Sequence, residues 1–208
     1  MLKDLERITG ELKTAVADLV KPRLVITAPH AVCRDMTDVM AHYCDVVAGD
    51  VATWVAEAMK GWEVQPVLLI PKISRMEVDM NRPEARGTEF RNQVDMALGD
   101  CVFLLDVHSF PKLDMPWDVD CFLLKLSYGG NNDPIVYDLS KHLMAAGLNV
   151  AVVQAEKPND VVLSAIERGV PAVLVEFNES RVQADTGLVD RFIEGLKKFL
   201  GKRLERGS

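Results

Sequence analysis

One stretch leaves this chain few ways to fold: Cys101-Val102-Phe103-Leu104-Leu105-Asp106-Val107-His108-Ser109-Phe110-Pro111. Five apolar residues run into Asp106, the pattern of a strand buried on both faces in the middle of a helix-covered sheet. Asp106 and His108 are two residues apart, so on a strand their side chains share one side. The carboxyl end of a buried strand is where open α/β sheets hold ligands. A carboxylate beside an imidazole at that place therefore marks a candidate site.

The rest of the chain supplies the layers around such a strand. Leu2, Leu5, Ile8, Leu12, Val16 and Leu19 recur at helical spacing and predict an amphipathic helix over 1–21, ended by Pro22. A β-rich run over 23–28 is stopped by Pro29 and followed at once by His30. After a polar turn, one long helix is expected to reach about Lys60, with Val47, Val51, Val55, Ala58 and Met59 buried and Gly61 at its end. Further strands are expected over 63–70, 120–126, 149–154 and 171–177. Helices are expected over 88–98, 134–146, 160–168 (with Asp160 as N-cap) and 188–204. The segment 74–87 is too charged and too broken by Pro and Gly for a core element, so it reads as a working loop. This alternation predicts a single α/β domain over 1–208, with its core at 22–206. The sheet is expected to be mostly parallel or mixed, flanked by helices.

Composition removes several classes of function. A net charge of −7 argues against nucleic acid or an anionic membrane surface as partner. No apolar run reaches membrane-spanning length, and no secretory signal pattern opens the chain. Cys33, Cys44, Cys101 and Cys121 show no CxxC spacing. The expectation is a reduced, cytoplasmic protein. No GxGxxG or GxxxxGK follows a strand, which ranks nucleotide binding last.

Three expected strands end in ligand-type residues: His30 after the first, Asp106 and His108 after the central one, Glu176 after the last. In a sheet whose strands mostly share one direction, these ends meet at one edge. Two histidines and a carboxylate with an open position form a usual catalytic zinc shell. Asp106 suits the carboxylate that orients a ligand histidine from behind. The third ligand is left open among Asp45, Asp50 and Cys33, although a helical Asp more often faces solvent. Arg75, Arg82 and Arg86 suit an anionic substrate, with Arg75 or Arg86 able to stabilise an oxyanion, unless they pair with neighbouring acids. Glu176, at the end of an apolar strand, is the natural general base. His42 and His142 are assigned to the surface.

Pro29-His30-Ala31, Ser74-Arg75, Val78-Asp79-Met80-Asn81-Arg82-Pro83, Asp106-Val107-His108-Ser109 and Val175-Glu176-Phe177-Asn178 follow one another as in a known family. Over 24–178 the chain resembles the N-formylglutamate amidohydrolases, which are similar in fold to zinc carboxypeptidases and succinylglutamate desuccinylases. The resemblance implies one zinc ion (or another divalent ion) on His30, Asp45 and His108. It places Asn81 and Arg82 on the substrate carboxylate and Glu176 on the catalytic water. Ser109 and Asn178, inside the same motifs, are expected to bind substrate. His42 stands one residue out of step with the family pattern, Cys33 is not part of it, and the stretch 85–88 differs. The expected activity is hydrolysis of a C–N amide bond in a small acidic N-acyl amino acid or a γ-glutamyl compound. The alternative is a metal- and carboxylate-binding protein without turnover.

Overall fold

The computed structural model describes residues 21–111, 118–126 and 130–207. The helix expected over 1–21 falls almost wholly outside the described residues. Six strands form one sheet: β1 Arg23–Thr27, β2 Gln65–Leu69, β3 Cys101–Phe110, β4 Cys121–Lys125, β5 Val150–Gln154 and β6 Ala172–Asn178. Their order is β2-β1-β3-β6-β4-β5. The first four strands of that order are parallel, so their carboxyl ends share an edge. β4 runs antiparallel to β6, and β5 follows β4. The expected mixed sheet is therefore present, with the longest apolar strand near its middle.

Alternation along β3 divides the core. Phe103, Leu105 and Val107 face one way among Leu24, Ile26, Val173 and Val175. Leu104 faces the other way with Val25, Ala172 and Leu174. On the first face pack α2 Ala48–Met59, α4 Asp133–Ala145 and α7 Leu188–Gly207. On the second lie α3 Glu89–Ala97 and α5 Asp160–Glu167. The β3 side chains named here are fully buried, and each contributes about 1.5–3 kcal/mol by leaving water. Among the described residues no helix is long and apolar enough to cross a membrane.

Two expectations about helices fail for physical reasons. The single helix expected up to Lys60 is broken: α1 is only Met36–Met40, and α2 begins at Ala48. Between them His42 takes a left-handed φ of 54°, uncommon for a residue with a side chain. There Cys44 is also joined to Cys33 in a disulfide. Cys33 is thus neither a free thiol nor a metal ligand, and the expectation of four reduced cysteines fails for this pair; Cys101 and Cys121 are free. The other correction is the cap of α5. Asn159, not Asp160, accepts the Val162 N–H (3.0 Å). A short helix not expected from the sequence, α6 Glu179–Ala184, follows β6 directly.

Asp160 has a different task. Its buried carboxylate takes two hydrogen bonds from Arg86 (2.9 and 2.7 Å) and lies 2.7 Å from a guanidinium nitrogen of Arg91. Arg91 is itself only 2% exposed. Burial acts to raise the Asp160 carboxyl, but Arg86 and Arg91 outweigh it and hold it below the ordinary aspartate range. Asp160→Ala strands a buried guanidinium, so urea unfolding should show a loss of about 3–5 kcal/mol. The pair's contribution is present above the unfolded aspartate pKa of roughly 3.9 and fades as pH falls through the lower folded value. The parent should therefore lose more stability than the variant on acidification below about pH 4.

Candidate metal centre and active site

His30 sits three residues beyond the end of β1, and its backbone carbonyl accepts the Asp45 N–H at 2.9 Å. That bond draws the turn between α1 and α2 onto the sheet edge. Asp45 is thus presented from a turn rather than from a helix face. His108, on β3, places Nδ1 2.8 Å from Asp45 Oδ2, while His30 Nδ1 is 3.7 Å from the same oxygen. The two imidazoles meet edge to face with centroids 4.7 Å apart. All three side chains are buried, and their donor atoms lie within 4.8 Å of one another.

The donor set fits a divalent cation. Two ligands at about 2.0–2.1 Å from one tetrahedral zinc stand about 3.3 Å apart, a value that the 2.8 and 3.7 Å separations bracket. Each histidine also has a carboxylate on its other ring nitrogen. His30 Nε2 lies 2.7 Å from Asp79, and His108 Nε2 lies 3.1 Å from Asp106. Carboxylates so placed direct the opposite nitrogens inward and strengthen them as donors. Burial works to raise Asp45 and Asp79, but hydrogen bonds from the histidines hold both well below the usual carboxylate range. Burial likewise opposes charge on His108, and Asp106 and Asp45 overcome it, driving that imidazole well above its ordinary value.

Asp106 is tied down from four directions. Thr27 donates to one oxygen at 2.6 Å, and Asn81 and Asn159 each donate to the other at 3.2 Å, beside His108. Strand register sets Glu176 directly beside His108. Among the described residues no donor reaches its carboxyl. Burial first, with Asp45 and Asp106 adding and His108 opposing, pushes that carboxyl well above the ordinary range. The cavity over these groups has a volume of about 550 Å³.

The remaining candidates divide. Arg75 and Arg82 line the cavity, both leaning on Asp79 (3.3 and 3.5 Å), and Arg82 also donates to the Pro158 carbonyl at 2.7 Å. Asn81 lines it too, but its amide group is engaged by Asp106, His108 and the Val161 N–H. Ser109 donates to Glu179 at 2.8 Å and accepts from the Val47 N–H, bracing the Asp45 turn. Asn178 caps α6 and donates to the Val119 carbonyl. Arg86, bound to Asp160, is not part of the cavity wall, and exposed Asp50 faces a different groove, beside Trp54. His42 is exposed yet lies on the cavity rim, whereas His142 stacks edge-on to Phe199. Asp79, which holds His30, is not singled out by the sequence; its signal there is its place two residues before Asn81 in the polar loop.

No family model matches the sequence, and no curated protein matches it. Solved structures do. The chain is similar to the Atu2144 gene product of Agrobacterium tumefaciens, with a TM-score of 0.61 and 17% identity over 91% of each chain. It is similar to N-formylglutamate amidohydrolase from Ralstonia eutropha, with a TM-score of 0.55 and 15% identity over 90% of this chain and 96% of that one. N-acetylmuramoyl-L-alanine amidase AmiC2 of Nostoc punctiforme also matches, with a TM-score of 0.55 and 14% identity over 88% and 97%. At such identities the likeness is one of fold. The expected α/β architecture is the one this chain shares with them.

The ligand arrangement can be checked by metal analysis. Asp45→Ala should lose most of the bound zinc, and Asp50→Ala should keep all of it. Asp79→Asn retains the three donors but weakens the support of His30, so zinc affinity should fall by about 10–100-fold with the fold intact.

Proposed function

We propose that this protein is a zinc-dependent amidohydrolase cleaving the C–N amide bond of a small acidic N-acyl amino acid or γ-glutamyl compound. One observation carries the reading. The buried donors of His30, Asp45 and His108 converge beside Glu176, a carboxyl that no described donor engages. A divalent ion held there, zinc or one like it, would polarise the scissile carbonyl and bring the pKa of water toward neutrality.

The chain's own residues supply the rest. Glu176 accepts the proton of the attacking water and returns it to the leaving amine, the two tasks of a single general acid–base group. It accepts as the carboxylate and donates as the acid, and burial raises it toward the range where both forms are available. Arg82 holds the substrate carboxylate through its planar fork, with one terminal nitrogen anchored on the Asn81 and Pro158 carbonyls. Arg75 uses only Nε toward Asp79, which leaves its terminal nitrogens for the developing oxyanion. Arg86 has no part in this scheme, because Asp160 holds it elsewhere. Asp106 and Asp79 keep the two imidazoles in register for their common ligand.

Glu176→Gln preserves size but cannot take a proton. It should keep zinc and substrate binding while turnover falls by about 10²–10⁴-fold. Arg82→Lys keeps the charge and loses the fork, so its loss should appear mainly in KM at unchanged zinc content. The test is steady-state kinetics on an N-acyl amino acid that the parent hydrolyses. A parent that holds zinc and acidic ligands but turns over nothing in such a panel is a binding protein.

A further inference from the structure

One wall of the cavity is apolar, bordered beyond Ala155 by Glu156 and Lys157. Beyond Glu176, this wall is built from Phe110, Phe122, Leu124, Val153, Ala155 and Leu174. Period-2 alternation explains why they share a face. Leu174 precedes Glu176 by two residues on β6, Phe122 is the cross-strand partner of Glu176 on β4, and Leu124 follows it by two. Phe110 stands two residues after His108 and packs on Phe122, with ring centroids 4.9 Å apart. The wall thus begins at the reacting centre and runs across β6, β4 and β5. Arg75 and Arg82 both reach Asp79, which holds His30, and Arg82 also donates to the Pro158 carbonyl. A ligand whose amide meets Glu176 has this apolar surface directly beside the reacting centre for its acyl group.

Size points the same way. A cavity of about 550 Å³ is in the range of roughly 300–1,000 Å³ that encloses drug-sized ligands. A one-carbon acyl amino acid leaves most of it empty. We infer that the substrate is an N-acyl amino acid with a bulky apolar acyl group, aliphatic or aromatic, seated on the partly exposed side chains of Leu124 and Val153, which Phe122 and Leu174 back from the core. This rests on the amidohydrolase reading for the position of the amide, and it narrows that reading on the acyl side.

The experiment measures binding and turnover together on N-formyl-, N-acetyl-, N-hexanoyl- and N-benzoyl-L-glutamate, with the zinc-loaded protein. Each methylene buried on the wall should tighten binding by about four-fold, so hexanoyl should exceed acetyl by roughly 10²-fold. Calorimetric affinities are read whether or not hydrolysis occurs. Rising affinity without turnover sustains the apolar acyl site and sinks the hydrolase reading alone. Turnover with affinity and kcat/KM flat or falling from formyl to hexanoyl overturns the acyl site and leaves the hydrolase. Failure of every compound to bind overturns the acyl site as well. Val153→Phe, which fills the wall, should shift the preference toward acetyl, and Leu124→Glu should bring the hexanoyl-to-acetyl ratio toward one. Both variants are checked for unchanged zinc content and thermal unfolding. An unaltered ratio in two folded variants would place the acyl group elsewhere.

Discussion

The Asp106 carboxylate is the interaction on which the site depends. A charged or polar group with no exposed surface is tolerable only when its hydrogen bonds are made. Asp106 is such a group, and its partners come from four parts of the chain: Thr27 of β1, Asn81 of the charged loop, His108 of β3 and Asn159 at the start of α5. Satisfying one carboxylate therefore draws the loop and the helix onto the sheet edge. The same bonds orient the imidazole whose other nitrogen faces Asp45.

A second carboxylate, Asp79, repeats this logic nearer the surface. It receives His30 on one oxygen and the guanidinium groups of Arg75 and Arg82 on the other. One residue thus couples the orientation of a candidate metal ligand to the placement of the cationic groups proposed for the substrate. The arginines differ in their remaining commitments. Arg86 is bound to Asp160 and supports the fold, whereas Arg75 has only one side-chain contact to Asp79. Charge alone could not have separated them; what separates them is which buried acid each one reaches.

The turn that carries Asp45 is secured without being a helix. The His30 carbonyl holds its backbone, Ser109 and Glu179 receive the N–H groups of Val47 and Val46, and the Cys33–Cys44 disulfide closes the preceding loop. A cross-link over so short a loop lowers the entropy of the unfolded chain and keeps the two candidate ligands close in sequence space also close in space. Ser109, which lines the cavity, also takes part in this bracing.

Much of the architecture was legible in the sequence because it rests on local pattern. Apolar runs of strand length, helical periodicity and turn residues located all six strands and the helices α3, α4, α5 and α7 to within a few residues. The alternation of these elements placed His30, His108 and Glu176 at strand ends, and a parallel sheet has only one edge where such ends can gather. What tertiary structure alone decided was which polar side chain answers which. The break between α1 and α2 has no strong local signal, since Val47, Val51 and Val55 continue a helical stripe; a disulfide and a backbone bond to His30 impose it. Asp79, Asn81, Ser109, Asn178 and Arg86 are all polar residues near motif positions, and sequence treats them alike. Their roles diverge because a buried hydrogen bond is a pairwise, long-range choice, made between residues up to about eighty positions apart and settled only when the sheet edge closes.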